Sequence, residues 1–159
     1  MCIFNRLKGF VIKDGVLLKY KRNKTTVTIP NGTIKIGHFA FAGCHKLCKI
    51  SIPNSVVEIQ TLAFSGCTEM RDENGLVIIQ NTLFHCYYTD EVIVPESVNR
   101  IAQSAFSTCK DMKTVTIPSS VTRIDNYTFG SHPDVTIYAP SNTYAEQYAK
   151  ENNISFVAI

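Results

Sequence analysis

The densest cluster of chemistry-capable side chains is Cys44-His45 with Cys48, in a chain of 159 residues holding six cysteines and four histidines. A cysteine beside a histidine can serve as a thiolate nucleophile if the imidazole reaches the sulfur and a third group orients it. Neighbours in sequence on a short turn usually point apart, so this pair is not expected to meet that condition. Cys44 and Cys48 could instead begin a zinc site, but one Cys-x3-Cys pair needs a second pair to complete a tetrahedron. His38, His45, His85 and His132 stand at different phases of the pattern described below and do not converge, whereas an enzyme needs several groups at one place. No glycine-rich phosphate loop is present. We expect no catalytic site, no cofactor and no metal.

The surroundings of Cys44 explain it better. Ile29-Pro30, Ile52-Pro53, Val94-Pro95 and Ile117-Pro118 mark four copies of one pattern. Six residues after each proline stand Ile36, Ile59, Ile101 and Ile124, and eleven after stand Phe41, Phe64, Phe106 and Phe129. Fourteen after stand Cys44, Cys67 and Cys109, with His132 in the last copy. Pro30 to Pro53 and Pro95 to Pro118 are each 23 residues, and a fixed period of this size implies a solenoid. The three phased cysteines should therefore stack inside the coils as small hydrophobes. We expect reduced core thiols, with pairing of Cys44 and Cys67 under oxidation left open, because stacked strands lie about 4.8 Å apart.

Composition agrees. With 45% hydrophobic and 18% charged residues, the chain is globular rather than disordered. No apolar run reaches the length of a membrane span, so no membrane insertion is expected. The net charge of +3 is too mild to imply a nucleic-acid partner. The opening MCIFNRLKGFVI lacks the shape of a signal peptide, because Asn5, Arg6 and Lys8 interrupt it.

In chain order, Gly9 to Pro30 reads as a hairpin turning at Asp14-Gly15, followed by a first repeat strand. Lys19, Lys21, Arg22 and Lys24 then crowd a turn, which we read as a solvated loop. Each repeat opens with a short alternating strand ended by its proline, which cannot donate to a ladder. A second short strand carries the isoleucine, and HFAFAGC or TLAFSGC supplies a tight helical turn closed by Gly43 or Gly66. GLVIIQNTLFHCYY then matches the first hairpin, and Pro30 to Pro95, Pro53 to Pro118 and Cys44 to Cys109 all span 65 residues. The chain thus reads as one domain, 1–159, holding a tandem duplication over 9–72 and 73–139. A cap follows over 140–159, with Thr143 and Glu146 at capping-box spacing before a short helix. A final strand, ISFVAI, covers the last coil.

IPNSVVEIQTLAFSGCTEM and VPESVNRIAQSAFSTCKDM fit IPxSVxxIxxxAFxxCxxL, a pattern that resembles the BspA-type leucine-rich repeat. The ending TIYAPSNTYAEQYAKENNISFVAI is similar to the C-terminal cap of such arrays. The resemblance covers Gly9 to Ile159. It implies a right-handed leucine-rich-repeat solenoid, mainly β with short helical turns, here of about five coils with inserted hairpins and a helix-strand cap. It also implies a cell-surface or secreted protein of adhesin type, whose partner is a protein such as a host extracellular-matrix or plasma component. The alternative, consistent with free thiols, is an intracellular scaffold.

The candidate binding face follows from the strand pattern. Residues two and four before each proline should face outward: Thr26 and Thr28, Lys49 and Ser51, Glu91 and Ile93, Thr114 and Thr116. Stacked in parallel they form a hydroxyl-rich ribbon, although threonine and serine also simply suit exposed strand positions. A second ladder, Lys35, Glu58, Arg100 and Arg123, mixes signs and reads as solubility with local pairing. Tyr20, Tyr87 and Tyr88 of the hairpins either anchor a partner or cover the flank of the coils.

Overall fold

A computed structural model describes residues 9–87, 90–130 and 132–159. The chain falls into two compact units, 1–71 and 72–159, and each is described by itself.

The first unit contains strands β1 (Phe10–Lys13), β2 (Val16–Tyr20), β3 (Thr26–Thr28), β4 (Lys35–Ile36), β5 (Lys49–Ser51) and β6 (Glu58–Ile59), with a 3-10 turn at Thr68–Met70. Asp14 (φ 50°) and Gly15 (φ 77°) are both left-handed, which is what a two-residue hairpin turn of the primed type requires. The hairpin is built into the coil rather than attached to it. β2 pairs antiparallel with β1 on one side and parallel with β4 on the other, giving the order β1-β2-β4-β6. β3 and β5 form the second parallel pair.

The two coils that follow the hairpin are each closed by a proline, Pro30 or Pro53, at one corner and by a tight turn at the other. Ile29 still donates its N–H to the Ser51 carbonyl at 2.9 Å, after which Pro30 has no N–H to give. The tight turn is a run of i→i−3 bonds: Ala40 to Gly37, Ala42 to Phe39, and Cys44 to Phe41. Gly43 (φ 77°) ends it as expected, but Phe39 (φ 54°) opens it in the same left-handed region, where a bulky residue is strained by about 1–2 kcal/mol.

Two columns fill the interior. Leu17, Ile36 and Ile59 stack on the ladder, all nearly or wholly buried. Phe10, Tyr20, Phe41 and Phe64 form an aromatic column with successive ring centroids 4.8, 5.4 and 5.2 Å apart. Tyr20 is 5% exposed, so this hairpin tyrosine covers the coil and does not offer itself to a partner.

The second unit contains β7 (Leu76–Ile79), β8 (Thr82–Cys86), β9 (Glu91–Ile93), β10 (Arg100–Ile101), β11 (Thr114–Thr116), β12 (Arg123–Ile124), β13 (Thr136–Ala139), α1 (Tyr144–Glu151) and β14 (Ser155–Ala158). Its sheets run β7-β8-β10-β12 and β9-β11-β13-β14. The hairpin turns at Gln80 (φ 47°) and Asn81 (φ 60°), again left-handed at both positions but without glycine. Tyr87 is 5% exposed and its ring centroid lies 6.0 Å from that of His85. Tyr88 lies outside the described residues. Leu83, Ile101 and Ile124 form the aliphatic column, and Phe106, Phe129 and Tyr148 the aromatic one, at 5.0 and 5.9 Å.

The chain is a β-solenoid with three coils in each unit, counting the hairpin coils, against the five expected for the whole, because β2 and β8 are ladder strands in their own right. The cap closes the second unit. α1 buries Ala145, Tyr148 and Ala149, and β14 adds to β13 in parallel. The capping box expected of Thr143 and Glu146 does not form, since neither side chain reaches the other's amide. The Glu146 carboxylate accepts from the Asn142 amide at 2.6 Å, while the Thr143 hydroxyl turns back to donate to the Pro140 carbonyl at 2.8 Å. Asn142 is left-handed (φ 62°), which places its amide, not that of Thr143, before the helix.

Phe64 is wholly buried and stacks on Phe41, with 10° between the ring planes. Phe64→Ala should lower unfolding free energy by roughly 3–5 kcal/mol in chemical denaturation, the range for a truncated core phenylalanine. An unchanged midpoint would place the column outside the core.

Candidate protein-binding face

The strands before Pro30, Pro53, Pro95 and Pro118 are each three residues long, and the middle residue alone faces inward in β3, β9 and β11. Val27, Val92 and Val115 are at most 3% exposed. Their neighbours are turned the other way: Thr26, Thr28, Lys49, Ser51, Glu91 and Ile93 are exposed, and Thr114 and Thr116 are half-buried. The first unit brings Thr26 beside Lys49 and Thr28 beside Ser51. In the second, Glu91 adjoins Thr114 and Ile93 adjoins Thr116. A strand on each side explains the half-burial, since β11 is flanked by both β9 and β13.

The ribbon of the second unit is wider than the sequence reasoning made it. Thr136 and Tyr138 follow Thr114 and Thr116, and Ser155 and Val157 follow those, in continuous parallel register. The signal was present, because Thr136 and Tyr138 stand four and two residues before Pro140. Among the described residues, the side chains of Thr26, Thr28, Lys49 and Ser51 make no hydrogen bond or ion pair. A hollow of about 450 Å³ borders this strand, lined among others by Phe10, Tyr20, Lys24, Thr26 and Thr28.

The mixed-charge ladder behaves differently in the two units. Lys35 pairs with Glu58 at 2.9 Å. Arg100 and Arg123 are neighbours of like charge, and both turn to Asp125, at 2.5 and 2.8 Å. Burial alone would raise the Asp125 carboxyl, but the two guanidinium groups, Arg100 above all, outweigh it and hold the group below its ordinary value. Asp125 lies two residues beyond the ladder position of Arg123, and nothing in the repeat phase marks it.

The thiols and imidazoles serve the coil. Cys44 donates to the Arg22 carbonyl at 3.6 Å, whereas the Nδ1 of His45 donates to the Gly66 carbonyl at 3.0 Å, so the pair is directed to separate partners. Cys67 donates to the Phe41 carbonyl at 3.3 Å, and burial pushes its thiol up to about 12. A thiol so raised carries almost no thiolate at neutral pH. The Nδ1 of His38 donates to the Thr61 carbonyl at 2.8 Å, and the Nε2 of His132 to that of Cys109 at 2.5 Å. His85 is 3% exposed, and among the described residues neither ring nitrogen has a hydrogen-bond partner. Among the described residues no three metal-ligating side chains cluster, and no helix is long and apolar enough to cross a membrane.

Repeated strand, proline corner and tight turn, stacked in parallel around isoleucine and phenylalanine columns, define a leucine-rich-repeat solenoid. A family model, the BspA type leucine rich repeat region, matches residues 14–136 in six copies. The chain belongs to that family, whose repeat surfaces suit protein binding. Among solved structures it is similar to a leucine-rich cell surface protein of Faecalibacterium prausnitzii A2-165, with 29% identity and a TM-score of 0.50 over 88% of this chain and 38% of that one. It is also similar to the pneumococcal vaccine antigen PcpA, at 15% identity and a TM-score of 0.49 over 96% of this chain and 47% of that one. A leucine-rich repeat protein of Bacteroides ovatus ATCC 8483 aligns at 25% identity and a TM-score of 0.41, over 86% and 38% of the two chains. The chain therefore spans less than half the length of each of these relatives. A comparison with the curated proteins gives no match.

Burial lowers the His85 imidazole from 6.5 to about 4, so the folded chain holds it neutral while the unfolded chain protonates it near pH 6.5. Between these values the unfolded state binds more protons, and stability falls as pH falls. We expect about 3 kcal/mol to be lost from this group between pH 7.5 and pH 4. His85→Leu should flatten that part of the pH profile of chemical denaturation, and an unaltered profile would refute the assignment.

Proposed function

We propose that the chain is a non-catalytic protein-binding module, and that the outward positions of the strands preceding each proline form the surface it binds with. The observation that carries this reading is the division of labour along those strands. Val27 is buried in the coil at β3 and Ile50 half-buried at β5, while Thr26, Thr28, Lys49 and Ser51 are exposed and committed to no partner within the described residues. Solenoids bind through extended surfaces of this kind, because parallel stacking sets side chains of successive coils at a fixed spacing. The dispersal of the histidines and the burial of Cys44 and Cys67 support the absence of catalysis.

The finer reading is an adhesin-type role at the cell surface, recognising a host or microbial protein such as an extracellular-matrix or plasma component. It is supported by the family and by the description of the Faecalibacterium relative as a cell surface protein. A second reading, an intracellular scaffold, is favoured by the exposed free thiol of Cys48, which is at home in reducing surroundings.

The purified chain should be tested by surface binding against an immobilised panel of matrix and plasma proteins. At least one should be captured, and combined Thr28→Glu, Ser51→Glu and Thr116→Glu should weaken capture tenfold or more, about 1.4 kcal/mol, with the melting transition retained. Capture that is indifferent to the triple change would move the binding surface away from these strands. No capture by any member would remove the adhesin reading.

A further inference from the structure

We infer that Cys86 and Cys109 are the site of an intrachain disulfide, formed when the folding chain meets a low-molecular-weight disulfide. Cys86 ends β8, in the hairpin coil, and Cys109 closes the tight turn of the coil that follows. Their Sγ atoms lie 2.7 Å apart, closer than the roughly 3.5–4.0 Å of ordinary unbonded contact. The two side chains are 0% and 1% exposed, and the 2.7 Å separation leaves no room for a water or another side chain between the sulfurs. The backbone holds the approach from both sides. The Cys86 amide donates to the Ala105 carbonyl at 2.8 Å, and the Thr108 hydroxyl donates to the Cys86 carbonyl. Closing the bond therefore asks for side-chain adjustment and no change of register.

The first unit shows that this meeting is particular to the second. Tyr20 stands opposite Phe10 on β2 just as Cys86 stands opposite Leu76 on β8. Cys44 ends its tight turn as Cys109 does, but across from it the hairpin strand offers a tyrosine ring in place of a thiol. Its Sγ goes to the Arg22 carbonyl instead. Cys67 goes to the Phe41 carbonyl. The pair proposed here differs from Cys44 and Cys67, and one of its members, Cys86, lies outside the repeat phase.

In the closed coil neither sulfur is a ready nucleophile. The neighbouring Cys109 thiol and burial both hold the Cys86 thiol well above its ordinary range. Exchange belongs to the folding chain or to an opened hairpin coil. There one thiol loses its proton, and its sulfur attacks a small disulfide R–S–S–R, forming a mixed disulfide and releasing R–S⁻, which takes up a proton. The second protein thiol, deprotonated in turn, attacks the protein sulfur of the mixed disulfide and displaces the second R–S⁻. Two protein S–H bonds and one R–S–S–R become one protein S–S bond and two R–SH; the protein is oxidised by two electrons and the small disulfide is reduced.

The test uses the whole chain, unfolded and refolded in buffers ranging from fully reduced to fully oxidised glutathione, then quenched in acid, alkylated and mapped by mass spectrometry. In the oxidising buffers one linked peptide pair should join Cys86 to Cys109. The melting temperature should rise roughly 5–10 °C over the reduced chain, as expected for a cross-link closing a loop of this size. Cys86→Ala and Cys109→Ala should each abolish the linked pair and the temperature difference. Alkylation of both residues in the fully oxidised sample would overturn the proposal, as would linkage of either to Cys44, Cys48 or Cys67. Should a variant not refold, the peptide map of the natural chain decides alone.

Discussion

The structure depends on the vertical stacking of its inward side chains. Parallel strands repeat about every 4.8 Å, and the phenylalanine rings of successive coils lie 5.2 Å apart in the first unit and 5.0 Å apart in the second. Ring spacing and strand spacing therefore agree, so one coil's core position falls on the next coil's core position. A coil of about 23 residues has too little apolar surface to close on itself. It becomes stable only with a neighbour above or below. The hairpin strands β1 and β7 and the helix-strand cap are the elements that cover what such stacking leaves uncovered in each unit.

That constraint also frees the outside. Once Val27, Ile36 and Phe41 or their counterparts fix a coil, the residues between them can vary without disturbing the scaffold. Thr26 beside Lys49 and Ile93 beside Thr116 show how different the presented chemistry becomes on the same backbone. Proline corners keep those strands short, and the mixed-charge ladder pairs locally. Lys35 answers Glu58 in one unit, and Asp125 reconciles two arginines in the other.

Much of this was legible in the sequence because the same residue types recur in phase. The prolines, the isoleucines six residues on and the phenylalanines eleven on mark β4, β6, β10 and β12 and the middle of both core columns, whereas β2 and β8, the ladder strands of the hairpin coils, carry none of these marks. Asp14-Gly15 announced its hairpin, while Gln80-Asn81 carries no such signal and was found only by likeness to the first hairpin. The left-handed residues that open the tight turns, Phe39, Leu62, Ser104 and Tyr127 (φ between 54° and 60°), were not legible. Nothing in those side chains favours that conformation; the surrounding coil imposes it. The candidate face was legible as alternation, and its extension through Tyr138 and Val157 followed the same rule but was not drawn. Asp125 and Cys86 escaped because they act on the repeat from outside its phase, and phase was the only guide.

The central claim, that stacked coils fix the inward columns and thereby turn the alternate residues outward, is tested most directly by residue-resolved amide hydrogen exchange. The account expects slow exchange at the amides that bond from one coil to the next. These include Gly37, Phe41 and Gln60 in the first unit, and Val94, Ala102, Ile117 and Asp125 in the second. Fast exchange at these amides, under conditions where the chain remains folded, would contradict the register on which the whole reading rests.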